Sequence, residues 1–424
     1  MMERVTADVA VVGLGPAGVA AAVRAAEVGA RVVALDEAHA PGGQIWRHRE
    51  ASRGALPAQA RRWIERLLRL PASRCRVLQG ATVVDAPAPG VLLAVAGEIP
   101  LRIDATATIL ATGARERFLP FPGWTLPGVL GVGGAQALVK SGASVRGLRV
   151  VIAGSGPLLL PVAATWARAG ARVLCVAEQA SFARVARFTA ALLAHPAKIR
   201  EAIFYRAACA RSAYRLGTWV EEARAADPAL AVTLTDGRRS WDVSCDVLAC
   251  GFGLLPNLEL ARLLECRVLR GALVVDEEQR TTVAGVFAAG EACGVGGADL
   301  ALVEGEIAAL SATGRSEAAA ALAPRRKRLR AFARSLDSTF TLRDELRSLA
   351  RPDTLVCRCE DVALGRLRPE WTPRQAKLYT RAGMGPCQGR VCGAALETIF
   401  GWPPDTVRPP LYPVRLDALK EADA

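Results

Sequence analysis

Four of the eleven cysteines stand as two close pairs, Cys357-Arg358-Cys359 and Cys387-Gln388-Gly389-Arg390-Val391-Cys392, a C-x-C-x27-C-x4-C array. Thiolate sulfur is a soft ligand. Four of them in a short, glycine-punctuated segment suit a tetrahedral sulfur site, either zinc or iron–sulfur. Zinc sites usually space paired cysteines by two to four residues, and the C-x-C half departs from that habit.

The second pattern with chemistry in it is Gly13-Leu14-Gly15-Pro16-Ala17-Gly18, a G-x-G-x-x-G loop directly after a strand-type run and directly before an Ala-rich helical stretch. Its first glycine makes the tight turn, its second admits a pyrophosphate to the backbone, and its third lets helix and strand pack closely. Free N–H groups at the helix start then favour phosphate. Asp36 ends the next strand, twenty-three residues after Gly13, where a carboxylate can bind ribose hydroxyls. A later loop, Gly154-Ser155-Gly156-Pro157-Leu158-Leu159, begins as the same fingerprint but carries Leu159 where the third glycine belongs, with Pro161 close behind. That leucine is expected to push helix from strand and to disfavour NAD(P)H. Glu178 keeps the ribose-acid position, so the loop reads as vestigial or as the holder of some other nucleotide.

Strands and helices must carry these loops. Asp8–Val12, Arg31–Leu35, Leu148–Ile152 and Arg172–Val176 are short apolar runs of buried-strand type, and Pro16–Glu27 and the stretch up to Arg168 have helical spacing. Shorter strands are expected near 81–86, 91–96, 231–235 and 247–249, with a charged helical region over 303–335. Alternating β and α with two nucleotide-type turns predicts an α/β fold: two Rossmann-like dinucleotide-binding domains with parallel sheets, plus a small C-terminal Cys-rich domain. The expected divisions are 1–120 with 245–325 for the first domain, 121–244 for the second, 326–350 as a helical linker, and 351–424 for the cysteine domain and tail.

Composition bounds the rest. Fifty-four Lys+Arg against 41 Asp+Glu give a net charge of +13. The basic residues are nearly all Arg, spread along helical stretches beside acids, so nucleic acid is not expected as a partner. The dense run Arg325-Arg326-Lys327-Arg328-Leu329-Arg330 reads as a solvated linker face. Gly, Pro or Arg interrupts every apolar run, so no transmembrane segment is expected. No targeting pattern is evident, and an odd, scattered set of cysteines suits a reducing compartment, the cytoplasm. Cys245, Cys250 and Cys293 read as packing residues, and His39, His48 and His195 form no cluster.

Three further segments join the first glycine loop: Pro41-Gly42-Gly43-Gln44-Ile45, Thr108-Ile109-Leu110-Ala111-Thr112-Gly113, and Val286-Phe287-Ala288-Ala289-Gly290-Glu291 leading to Gly294-Val295-Gly296-Gly297. Together they resemble the pyridine-nucleotide–disulfide-reductase-like flavoproteins. The resemblance implies FAD, held by Gly13, Gly15, Pro16, Ala17, Gly18, Asp36, Glu37, Gly43, Gln44, Val83, Ala111, Thr112, Gly113, Gly290 and Glu291, with Glu291 standing where that family usually has Asp. No closely spaced cysteine pair sits where the disulfide reductases keep their redox pair, which removes that activity. Thr380–Arg390 resembles the bacterioferritin-associated-ferredoxin type of 2Fe-2S domain, which implies a cluster on Cys357, Cys359, Cys387 and Cys392, with glycines admitting backbone N–H groups to the sulfides.

The combination, with Thr125-Leu126-Pro127-Gly128-Val129, resembles the alpha subunit of the heteromeric bacterial amine dehydrogenases: opine dehydrogenases, hydrogen cyanide synthase, and dye-linked proline and hydroxyproline dehydrogenases. That likeness implies a flavin-containing beta subunit that oxidises the C–N bond, with or without a small ferredoxin-like subunit, and a downstream electron acceptor. It assigns no catalytic residue to this chain. Two other readings compete: a stand-alone NAD(P)H-dependent reductase with a fused cluster, and a non-catalytic, cluster-bearing scaffold. Leu159 speaks against the first and the complete flavin fingerprint against the second.

Overall fold

The computed structural model describes residues 2–48, 56–403 and 406–416; the tail beyond Leu416 and residues 49–55, counted above within two domains, lie outside the described residues. The chain divides into two compact units, residues 1–115, 255–334 and 407–424 forming one, and residues 116–254 and 335–406 the other.

The first unit is built on a sheet in the order β3-β2-β1-β6-β5-β4, where β1 is Glu3–Val12, β2 Val32–Asp36, β3 Cys75–Gln79, β4 Ala81–Ala88, β5 Val91–Ala96 and β6 Ile99–Leu110. The strand Val286–Ala288 pairs with the last residues of β6, Thr108–Leu110, beyond the stretch Ile99–Asp104 that β5 covers. β1, β2, β3, β6 and Val286–Ala288 are parallel and in register, with Val12 opposite both Leu35 and Leu110, and Leu110 opposite Ala288. Gly13, Asp36, Ala111 and Ala289 therefore leave the sheet at one edge, the carboxyl ends where α/β sheets bind ligands. Helix α1 (Pro16–Glu27) follows the glycine loop with proline in its first turn, where a missing N–H is harmless. Its alanine-rich face meets the helix Ala298–Ala312 so closely that a Cβ at Gly305 would lie 2.1 Å from the Ala17 carbonyl oxygen. Small residues on both helices make that approach possible, and the burial of Val19, Val23, Leu302 and Ile307 holds it.

The second unit has a parallel sheet ordered Ala213–Leu216, Arg172–Glu178, Arg149–Gly154, Val247–Gly251, Val129–Gly131, beside a three-stranded antiparallel meander, Trp219–Ala226, Ala229–Thr235 and Ser240–Cys245. Cys245 and Cys250 are buried in its core, as expected of packing residues. The cysteine segment belongs to this unit by compactness and has its own small apolar cluster, centred on Val356, Val362, Leu396 and Trp402.

The region 303–335 is helical as expected, in parts of three helices, Ala298–Ala312, Ser316–Ala320 and Ala323–Thr339, broken after Thr313 at Gly314, which has φ +73°. One expectation is corrected: the run 325–330 is not solvated throughout. Arg326 is buried, donates to the carbonyls of Asp276 and Glu277, and with Arg330 faces the buried carboxylate of Glu304. Residues four apart share a helix face, and that face turns inward here. Among the described residues no helix is long and apolar enough to cross a membrane.

Candidate functional site

The first glycine loop separates internal from external demands. Gly13 sits at φ +95°, and a Cβ there would lie 2.4 Å from the Ala111 carbonyl; one at Gly18 would lie 1.7 Å from the Gly13 carbonyl. Packing alone dictates both glycines. Gly15 is different: its φ is −66°, open to any residue, and a Cβ there meets nothing within 4 Å. Open space over the helix N-terminus is what a pyrophosphate approaching the N–H groups requires. Gly43, at φ +58°, lies against Gly15, where its Cβ would come within 2.9 Å of the Gly15 Cα. Gly42 N donates to Leu14 O at 2.7 Å, which ties the two loops together.

Asp36 is buried and committed to the backbone: Leu14 N donates to Oδ2 at 2.5 Å and Ala38 N to Oδ1 at 2.7 Å. Burial raises its pKa against these two bonds. The neighbouring Glu37 is exposed. The Thr-Gly turn after β6 is held by Asn257, whose Nδ2 donates to Thr112 O at 2.9 Å while Thr112 Oγ1 donates to Asn257 O at 2.7 Å. Gly290, at φ +76°, abuts Ala17; its N–H donates to Glu304 Oε2 at 3.1 Å. Glu291 accepts from Gly297 N at 2.9 Å through Oε1, and its buried Oε2 has no partner among the described residues. An unpaired acceptor at that depth suits a ligand hydroxyl. The residues present therefore fit FAD. Val83 stands apart: its side chain belongs to the core with Val12, Leu35 and Leu110, and Gln44 is exposed beside Arg47. Asn257 and Glu304 had no motif to announce them, though Glu304 and Glu306 in an otherwise apolar helix were a signal.

In the second unit, Leu159 stands where the first loop has Gly18, and the helix begins at Leu159 rather than directly after the second glycine as α1 does. The leucine opens the helix Leu159–Arg168 and is fully buried in that unit's core, while Pro161 lies in the first turn and removes no helical bond. Glu178 is buried, its Oε2 accepting from Gly156 N and Oε1 from Ala180 N, both at 2.8 Å. Desolvation pushes it up to about 7, and the two N–H bonds oppose the shift only in part.

The four cysteines of the array line one cavity of about 190 Å³, with Phe118, Trp124, Arg358 and Val391 completing its wall. Cys357 lies on the short strand Leu355–Cys357, paired with Val362–Ala363, and Cys392 opens the helix Cys392–Phe400. A Cβ at Gly385 would lie 2.2 Å from the Cys359 Cβ, so the loop carrying Cys387 needs glycine to reach the C-x-C turn. Trp124 is anchored by its indole N–H on Leu355 O at 2.6 Å, with the Arg358 guanidinium 5.4 Å over its ring. Cys357 is held down at about 5 by the Cys392 thiol, which donates to it, with the N–H groups of Gly383, Glu360 and Cys359 adding to the effect against burial. Cys392 is correspondingly raised by the same bond. Among the described residues no three His, Cys, Asp or Glu side chains converge on a single metal-ion position.

A unit whose sheet is parallel where the cradle sits and antiparallel across β4, β5 and β6, together with a second nucleotide fold, defines a flavin-dependent oxidoreductase of two-dinucleotide-domain type. The chain belongs to the pyridine nucleotide-disulphide oxidoreductase family, whose pattern matches residues 7–315. It is similar to an opine oxidase subunit of Rhizobium meliloti, 32% identical over 98% of this chain and 87% of that one. It is likewise similar to hydrogen cyanide synthase subunit HcnB of Pseudomonas aeruginosa, 33% identical over 90% of each. Among solved structures, L-proline dehydrogenase from P. horikoshii superposes with a TM-score of 0.71 at 21% identity, covering 99% of this chain and 81% of that one. Thioredoxin reductase of T. acidophilum gives 0.56 at 21% identity over 74% of this chain. Both share the fold. The protein is an FAD-dependent oxidoreductase.

Proposed function

We propose that this chain is the electron-handling subunit of a heteromeric dehydrogenase acting on the C–N bonds of amino acids or opines, with FAD on the first glycine loop and a 2Fe-2S centre on Cys357, Cys359, Cys387 and Cys392. The observation that carries it is the meeting of all four thiols at one cavity. Four sulfurs around one space, two of them in a C-x-C pair that departs from the usual spacing of zinc sites, suit a cluster better than zinc. Bound there, FAD supplies two-electron and the cluster one-electron redox chemistry.

The chain's own residues bind and orient. Gly15 and the start of α1 receive the pyrophosphate, Glu37 takes the ribose while Asp36 braces the loop, and the free Oε2 of Glu291 accepts a ribityl hydroxyl. Proton abstraction from substrate is left to a flavin-containing beta subunit; similarity along nearly the whole chain to proteins named as subunits supports such a partner. The cytoplasm is the compartment that suits free thiols. Anaerobic purification with the co-expressed partner tests the whole reading. About one FAD and about two irons per chain are expected, with amine-dependent dye reduction only when both subunits are present. Amine oxidation by this chain alone, or stoichiometric zinc without iron, overturns it.

A further inference from the structure

The second dinucleotide crevice is crossed by the chain itself. Gly154 and Glu178 are register partners at the carboxyl ends of neighbouring parallel strands, and Ser155 and Gln179 follow them directly. This is the place where a doubly wound sheet receives a nucleotide's ribose and pyrophosphate. Ser155 Oγ donates to Phe340 O at 2.7 Å. Gln179 Nε2 donates to Ser155 Oγ at 2.8 Å and to Thr341 O at 3.2 Å, and its Oε1 accepts from Arg343 N at 3.2 Å. Arg184, on the helix that follows, adds a bond to Thr341 O at 3.1 Å. From the same helix, Phe188 meets the Phe340 ring edge-on at 5.8 Å. Arg343 lies 3.7 Å over the Trp219 ring.

We infer that Phe340–Arg343 is an internal occupant of this crevice, with Ser155, Gln179 and Arg184 as its receptor, and that it excludes nicotinamide nucleotides from the second unit. Ser155 and Gln179 are buried and saturated by the segment's backbone, so a nucleotide gains their hydrogen bonds only by displacing it. Gly156 N, a further donor at the turn, is already taken by Glu178. The exclusion is thus built from chain segments far apart in sequence, Ser155, Gln179 and Arg184 on one side and Phe340–Arg343 on the other. Its consequence is that the flavin of this protein has no pyridine-nucleotide redox partner.

Titration calorimetry of the flavin-loaded chain with NADH and with NADPH tests this. Binding is read rather than turnover, so the result is independent of whether a partner subunit supplies electrons. The unaltered chain should give no saturable heat at millimolar nucleotide. The double variant Gln179→Ala, Phe340→Gly should gain saturable binding, at least about tenfold tighter. Tight binding by the unaltered chain overturns the inference. So does a double variant that keeps its flavin spectrum and thermal transition yet binds neither nucleotide. Should the double variant fail to fold, native-state hydrogen exchange of the unaltered chain decides. A protected Arg343 amide supports the occupant, and exchange at the unstructured rate overturns it.

Discussion

Asp36 and Glu178 stand at the same point of two repeated βαβ units and do one job with a one-residue offset. Each ends its strand, and each gives one oxygen to the N–H two residues on, that of Ala38 or Ala180. The other oxygen of Asp36 takes Leu14 N, between the two glycines, whereas the longer Glu178 reaches Gly156 N, the second glycine itself. The first loop therefore keeps the Gly15 N–H out of its carboxylate brace, and the second loop does not. A difference of one methylene accompanies the difference between a loop open to a ligand and one closed upon itself.

Glu178 gives a pH signature. Burial raises it to about 7 from an ordinary 4.5, so between those values the folded chain holds a proton that the unfolded chain has released. Folding then takes up a proton, and stability falls as pH rises across the window, levelling off above it. Glu178→Gln should remove this part of the slope. Urea unfolding of both proteins across the window checks it; a constant difference between them would contradict the assignment.

Gly15 separates ligand binding from folding. Gly15→Val adds a side chain where φ permits one and a Cβ meets nothing within 4 Å, so the fold should be kept at a cost of about 1 kcal/mol for a β-branched residue at the N-cap. FAD retention should fall at least about a hundredfold, because the valine fills the pyrophosphate approach. Gly13→Ala and Gly18→Ala should instead lose the fold, since each new Cβ strikes a backbone carbonyl. Flavin absorbance after gel filtration, read beside thermal melting, distinguishes the two outcomes. A Gly15→Val protein with full flavin content would refute the cradle.

Glu304 joins the basic helix to the Gly290 turn. It accepts the Gly290 N–H through one oxygen and Arg330 through the other, with Arg326 at 3.7 Å. Glu304→Ala leaves a buried guanidinium without its counter-charge and should cost about 3–5 kcal/mol. Flavin should be lost along with the order of the Gly290 turn. Arg330→Met should be milder, because Arg330 is the more exposed partner and Arg326 remains to face Glu304. Denaturant midpoints rank the three proteins, and equal midpoints would show that the cluster does not hold the turn.

The legible parts of this molecule were those with local causes. The glycine loop and helix α1 over Pro16–Glu27 are written in spacing and stand where the spacing asks, and the four cysteines of the array line one cavity. What could not be read depends on distant segments. Trp124 and Phe118 wall the cysteine cavity from more than two hundred residues upstream, and the Thr125–Val129 segment beside Trp124 carries no sign that it faces the cysteines. Phe340 and Thr341 look like ordinary linker until Ser155 and Gln179 are seen to hold them. The run at 325–330 is dense in charge, but the four-residue spacing of Arg326 and Arg330 puts both on the helix face that meets Glu304. Leu159 shows in the sequence as a missing glycine, but its burial in the core of its unit depends on Val150, Ile152 and Val176 from other elements.

The cysteine cavity yields the last prediction. Cys359 is exposed while Cys357 and Cys392 are buried in the small core of their segment, so a serine at 359 removes a sulfur without disturbing packing. A four-thiolate cluster does not tolerate that loss well, and iron and labile sulfide in Cys359→Ser should fall about tenfold or more. Flavin content should stay unchanged, because the glycine cradle and the cysteine cavity lie in different compact units. Amine-dependent dye reduction with the partner present should fall with the iron. Cys245→Ser, at a buried thiol outside the cavity, is the control that should keep its iron. The reduced, unaltered protein should give a rhombic paramagnetic signal that Cys359→Ser lacks. Full iron content in a Cys359→Ser, Cys387→Ser double variant would show that the cavity does not hold the cluster.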